Sequence, residues 1–175
     1  MDFHLNPYAK EGAGLDLNRS DNSLALIRIV IGVWFLHSGL AHVTLTPSLW
    51  STAHWDQEME RLITLYSQDH PYPWFQSFMV DTLLPNSARF AAYSSIGELV
   101  LGLALTLGLL TPLVSVAGMG YAALFGLMKI HAGLGPQGLY MILFFSMLGF
   151  AMAKAGRHWG GDMILAKFWE KSPVW

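Results

Sequence analysis

The chain has no cysteine. Disulfides, CxxC redox relays, thioether haem attachment and thiolate metal sites are therefore excluded within it, and any thiol chemistry must come from a partner or a bound group. Charge is scarce as well. Asp, Glu, Lys and Arg make up 13% of the residues, about half the proportion usual in a soluble domain. No basic run occurs and the formal net charge is −2, so nothing favours nucleic acid as a partner. Residues 1–23 are polar and of mixed charge, without the basic start, apolar core and small-residue cleavage site of a secretory signal. The first apolar segment is therefore expected to stay in place as a membrane anchor.

What fills the chain instead is apolar. A hydrophobic fraction of 53% and a mean hydropathy of +0.39 place it among membrane proteins. Residues 24–44 form a first span of the length needed to cross a hydrocarbon core of about 30 Å. Residues 99–128 contain no Asp, Glu, Lys or Arg and, with helix-like sequence before them, are too long for one span at about 1.5 Å per residue. Thr111-Pro112 divides them, because proline disfavours helical geometry in the residue before it and has no N–H to donate. The second and third spans are then 89–110 and 112–130. A turn rich in glycine at 131–136 precedes a fourth span at 136–153. Backbone groups in lipid must be satisfied internally, so all four are helices. The expectation is an all-α bundle of four transmembrane helices over residues 24–155, with a cytoplasmic tail at 156–175.

Lys154, Arg157, Lys167 and Lys171 follow the fourth span, and Lys10 and Arg19 precede the first. The connection 45–86 holds only Arg61 against Asp56, Glu58, Glu60, Asp69 and Asp81. The positive-inside rule puts both termini in the cytoplasm and the connection outside. Within that connection Trp55, Met59, Leu62, Ile63 and Tyr66 recur at helical spacing after Ser51, a candidate N-cap, which predicts an amphipathic helix on the membrane surface. A second surface segment, from Trp74 to Leu84, is expected to stop at Pro85. These helices either cap the bundle or wall a pocket.

The polar groups inside the spans carry the functional question. At about 100° per residue, Arg28, Gly32, Phe35, Gly39 and His42 form one stripe, and its small residues point it into the bundle. Glu98 shares a face with Ala91, Ser94, Gly102 and Leu105, and Lys129 shares one with Gly118, Ala122 and Phe125. A charge in the membrane core costs at least about 2.5–3.5 kcal/mol, so these faces look inward. Glu98 is either a proton-exchanging carboxylate beside a small-molecule pocket or an interhelical anchor paired with Lys129, Arg28 or a histidine. Arg28 and Lys129 are long enough to reach an interface, and His42 and His131 suit interfacial hydrogen bonding. His37 lies off the stripe with Leu26, Val30 and Val33, where an imidazole could ligate haem iron or chlorophyll magnesium, although no second histidine has partner spacing. His37 and His42 are not an i, i+4 pair, and no metal site is expected.

The stretches ALIRIVIGVWFLHSGLAH, PWFQSFMVDTLLPNSARFAAYSSIGELVLGLALTLGLLTP and AGRHWGGDMIL together resemble the DoxX/DoxD-like membrane family. The likeness rests on Arg28 and Gly39, the pair Gly97-Glu98, Gly108 with Thr111, and Gly156-Arg157 with Asp162. Pro112 and His42 stand where that pattern often has basic residues. The resemblance implies a four-helix membrane protein of the cell's inner membrane, associated with other subunits of a membrane complex and with the lipid bilayer. One branch of the family is the membrane subunit of a thiosulfate:quinone oxidoreductase. On that branch Glu98 and His42 would exchange protons with a quinone, and Lys129, Arg28 and His37 would be candidates for its pocket. The alternative is an accessory, non-catalytic subunit of a respiratory or photosynthetic complex. A transporter is less favoured, because the sequence shows no inverted repeat and no broken helix.

Overall fold

The computed structural model describes residues 20–44 and 53–168. Every regular element among them is helical: α1 (Ser20–Thr44), α2 (Ala53–Ser67), α3 (Pro73–Phe78), α4 (Ser87–Leu107), α5 (Thr111–Met128), α6 (Leu134–Ala153) and α7 (Asp162–Phe168). Four helical stretches are long and apolar enough to cross a membrane: Asn22–Val43, Pro73–Leu107, Thr111–Met128 and Leu134–Ala153. The chain is a multi-pass helical membrane protein. The proposed cap Ser51, the residues before Ser20 and the end of the tail lie outside the described residues.

Two antiparallel helix pairs make the bundle, α1 with α4 and α5 with α6. Small residues set the first contact. A Cβ on Gly32 would stand 2.6 Å from Thr106 N, one on Gly39 2.9 Å from Leu99, and one on Gly102 2.5 Å from the backbone nitrogen of Leu36. Where lipid tails are as apolar as leucine, close backbone approach of this kind drives helix association. Phe35, Leu101, Leu105, Ala122, Leu143, Met147 and Phe150 fill the space between the pairs. The outward faces are apolar too: Val30, Val100, Val116 and Ile142 are all more than half exposed, as lipid-facing side chains should be.

α2 lies across one end of the bundle. Met59 and Ile63 on its apolar face are fully buried against Phe75, Met79, Leu83, Ala91, Phe125 and Met128, while Gln57, Glu60, Arg61 and Thr64 are exposed. The amphipathic reading of this helix is matched side by side. The segment after it differs from expectation. Pro85 does not stop α3; the chain continues through a π-helical turn at Met79–Leu83 and a 3-10 turn at Leu84–Asn86 into α4. Pro85 sits at the step from the π-helical turn to the 3-10 turn, an irregularity of the kind that accommodates a proline without an N–H to donate. The apolar run from Pro73 to Leu107 is thus one helical stretch interrupted at Met79–Asn86, where a full stop at Pro85 and no broken helix were expected. The break sits at the end of the bundle under α2, since Met79 and Leu83 pack with Met59 and Ile63.

The turn between α4 and α5 falls at Gly108–Leu110, a little before the expected Thr111-Pro112. Gly108 adopts φ +65°, and Leu109 N–H bonds Ala104 carbonyl at 2.9 Å while Gly108 N–H bonds that of Leu105 at 3.2 Å. This is a Schellman ending, which satisfies two terminal carbonyls and needs a left-handed residue. Pro112 then belongs to the first turn of α5, where its missing N–H is no loss. Pro136 likewise enters the first turn of α6, which begins at Leu134.

Glycine positions on α4 give a direct test of this packing. Gly102→Ala should destabilise the protein by about 1–3 kcal/mol through overpacking against α1 backbone. Gly97, where an added Cβ meets nothing within 4 Å, should accept alanine without loss. Equal unfolding midpoints of the two variants in detergent would show that the α1–α4 contact is looser than described.

Candidate functional site

The inward stripe of α1 meets the inward face of α4 at two charged places, one near each end of the bundle. Near the α2 end, Glu98 is 3% exposed. Its Oε2 takes a hydrogen bond from His42 Nδ1 at 2.8 Å, and its Oε1 accepts a short hydrogen bond from the Tyr121 hydroxyl of α5. Three helices therefore converge on one carboxylate. The His42 ring stacks on Trp55 of α2, with centroids 3.7 Å apart and planes 16° from parallel. Trp55 is itself fixed by its indole N–H, which bonds the Ala91 carbonyl at 3.1 Å. Below Glu98, Phe35 stands edge-on to Tyr121 at 5.4 Å. His42 remains about one-fifth exposed and Glu98 hardly at all, so the histidine is the side of the pair that reaches water.

Lys129 lies at the same end, just past α5. Its ammonium donates to the Tyr140 hydroxyl at 3.3 Å and sits 5.9 Å from the Tyr66 ring centroid and 5.5 Å from that of Tyr140. Cation–π attraction of this kind helps hold a half-buried ammonium. The Glu98 charge is near enough to act on both Lys129 and Tyr140. His131 is exposed and packs edge-on against Tyr66 and His70. His70 is buried, accepts the Tyr72 N–H at its Nδ1, and donates from Nε2 to the Leu127 carbonyl at 3.0 Å. It pins the α2–α3 connection onto the end of α5.

Between α5 and α6 a groove of about 290 Å³ runs along the side of the bundle, lined by Ala123, Gly126, Gln137, Tyr140, Met141 and Phe145 among others. Among the described residues no group of three or more His, Asp or Glu is arranged to hold a metal ion.

The opposite end is built from Arg28, the α4–α5 turn and the segment after α6. Arg28 is completely buried, and its Nη2 donates to the carbonyls of Trp159 at 3.1 Å and His158 at 3.4 Å. The Asp162 carboxylate accepts the N–H groups of Leu110 at 2.6 Å and Thr111 at 2.8 Å. In return, Gly161 N–H and Asp162 N–H bond the carbonyls of Leu107 and Gly108. One residue and its neighbour thus satisfy the orphan groups of two helix ends. They also hold Leu110 at φ +51°, a conformation that disfavours side chains with a Cβ. A Cβ on Gly108 would collide with the Arg28 guanidinium, and one on Gly156 with Asp162 and Thr111.

Arg28, Gly108, Thr111, Gly156 and Asp162, which are far apart in sequence, thus assemble into one closed polar knot. A family model described as DoxX matches residues 23–132, more than half of the chain. The chain belongs to the DoxX family. No curated protein and no solved structure matches it.

The geometry sorts the candidate residues of this DoxX protein. Glu98, His42 and Lys129 come together at the α2 end. Arg28 is sealed at the other end and cannot share a pocket with them. His37 is exposed on the outward face of α1, away from every inward group. Tyr121, Tyr140 and the stacking of Trp55 were not expected. Tyr121 did carry a signal, since Tyr121, Phe125 and Lys129 follow one another at intervals of four along α5.

Replacing Asp162 tests the knot. Asp162→Ala leaves the Leu110 and Thr111 N–H groups without their acceptor, each worth about 1–3 kcal/mol when buried. The unfolding midpoint in detergent should fall markedly, while Lys167→Ala, on the exposed side of α7, should change it little. A fully stable Asp162→Ala protein would mean that the turn holds itself.

Proposed function

We propose that this DoxX-family protein is the quinone-linked subunit of a membrane oxidoreductase of the cell's inner membrane, in which Glu98 and His42 move protons between a quinone site and the outer surface. The observation behind this reading is a carboxylate closed to solvent inside the membrane, bonded at 2.8 Å to an imidazole that is itself partly exposed. Reduction of a quinone takes up protons that must cross from water to a molecule dissolved in lipid. Glu98 cannot meet water directly. His42 can, and imidazole is the side chain best suited to exchanging protons near neutral pH. Tyr121 holds the second carboxylate oxygen and so fixes the orientation of the first. The stacked Trp55 fixes the plane of the imidazole.

The rest of the bundle favours exchange with one side only. From Glu98 towards Arg28 the interior is filled by Phe35, Leu101, Leu105 and Met147, none more than 7% exposed. Among the described residues Tyr121 is the titratable side chain packed against that section, and its hydroxyl is already bonded to Glu98. The way out leads past His42 to the α2 end.

That end should be the external one. It carries Arg61, Arg89 and Lys129, whereas Lys154, Arg157 and Lys167 follow α6 at the other end, and in sequence Lys10 and Arg19 precede α1 and Lys171 follows α7. Because the chain has no cysteine, a single introduced one reports alone. Gln57→Cys should react with a membrane-impermeant maleimide in intact cells, and Lys167→Cys only after permeabilisation. The reverse pattern would invert the orientation.

Glu98→Gln tests the proton-exchange role. The amide keeps the shape, its oxygen can accept from Tyr121 and its nitrogen can donate to the other tautomer of His42, so the protein should fold and assemble. Quinone-linked turnover per assembled complex should fall by about 10²-fold, in the range for loss of a positioned acid or base. Unchanged turnover per complex would reduce Glu98 to a packing anchor. Activity lost only in proportion to lost assembly would favour an accessory subunit instead.

A further inference from the structure

The α5–α6 groove is separate from the Glu98 pair but joined to it through Lys129 and Tyr140. Its walls are apolar or aromatic, and Met141 and Phe145, about 60% exposed, open it to the lipid side of α6. It exists because α5 presents small residues here: Ala123 is exposed, and a Cβ on Gly126 would stand 3.1 Å from Tyr140 Cβ. The polar groups lie towards the α2 end. Tyr140 accepts a hydrogen bond from Lys129, which leaves its own hydrogen to donate and makes it a stronger donor. Gln137 lines the same end and bonds the Ile130 carbonyl.

We infer that this groove is a lateral binding site for a quinone with an isoprenoid tail, entered from the bilayer, in which the Tyr140 hydroxyl donates to a head-group carbonyl. This deepens the quinone-linked reading and rests on it. A neutral ring with carbonyl acceptors matches the donor and the aromatic walls. A phospholipid head matches less well, because among the described residues no cationic side chain lines the groove. The volume of about 290 Å³ is at the small end for ligand cavities, enough for the ring, with the tail lying over the exposed side chains of α6. The Glu98 charge acts on both Tyr140 and Lys129, which links the donor to the proton-exchanging pair.

The full chain in lipid nanodiscs, irradiated with a photoreactive isoprenoid quinone, tests the site. Adducts should appear on the peptides around Ala123–Leu127 or Gln137–Phe145 and be competed by excess unlabelled quinone. Ala123→Trp fills the groove from its exposed rim without touching the core, and should reduce the competed labelling at least tenfold. Tyr140→Phe should raise the half-saturating quinone concentration by about tenfold, as expected for loss of one hydrogen bond, with the unfolding midpoint confirming that the variant is folded. Competed labelling elsewhere, such as beside Trp34 and His37, would overturn the groove and leave the quinone-linked reading standing. Labelling that excess quinone cannot compete would mark the groove as a lipid contact and overturn the site. Competed labelling nowhere in the chain would overturn both.

Discussion

A carboxylate placed in a membrane span has to be neutralised or paired, because the hydrocarbon around it offers no hydrogen bond and charges cost at least about 2.5–3.5 kcal/mol there. Glu98 meets this requirement with donors from two other helices, His42 on α1 and Tyr121 on α5. That pairing constrains the whole upper bundle. It sets the register of α1 along α4, and α1 can come close enough only because Gly39 and Gly102 present no side chain to the facing backbone. It also ties the α1–α4 pair to α5, and through α5 to α6. Trp55 then brings α2 down onto the same place, since its ring covers His42 while its N–H is held by α4.

The Arg28 end solves a related problem by different means. Its partners are carbonyls of the backbone, which offer partial charge without a second ion. Asp162 is spent on two N–H groups of the α4–α5 turn, close enough to Arg28 to act on it but without a direct ion pair with it. A buried ion pair gains little when desolvation is counted. Here Arg28 donates to carbonyls of the docked segment while Asp162 accepts from N–H groups of the turn, so that the orphan groups of the turn are satisfied. The result is rigid and closed, which suits a structural role better than a binding one.

How much of this was legible in the sequence depends on the kind of contact. Periodicity exposed the buried stripe, and Arg28, Gly32, Phe35 and Gly39 are indeed buried. It also exposed the Glu98 face, where Ala91, Ser94 and Leu105 are buried, because lipid and bundle interior impose opposite demands on opposite sides of a helix. It did not show that Tyr121 would meet Glu98, since a tyrosine on an apolar helix is unremarkable until its neighbour is known. The partners of Arg28 were hidden for a stronger reason: a carbonyl belongs to every residue, and no side-chain pattern announces which ones will be used. Pro85 misled because an irregular π-to-3-10 step can take a proline and carry the helical path on into α4.

The two ends of the bundle differ in a way that constrains any mechanism. At one end the charged group is bonded to a side chain that can gain and lose a proton and still touches water. At the other it is bonded to carbonyls that can do neither. Between them the packing is apolar and tight, with Phe35 and Leu105 fully buried. In the proposed proton-exchange role, a proton reaching Glu98 would therefore arrive and leave by the same face. A relay running through the whole bundle would need a chain of titratable groups through the middle section; His37 points outward, and Tyr121, bonded to Glu98, leads only to the apolar packing of Phe35. On the proposed role, exchange at Glu98 would be one-sided, drawing protons from the α2 end and passing them sideways rather than across.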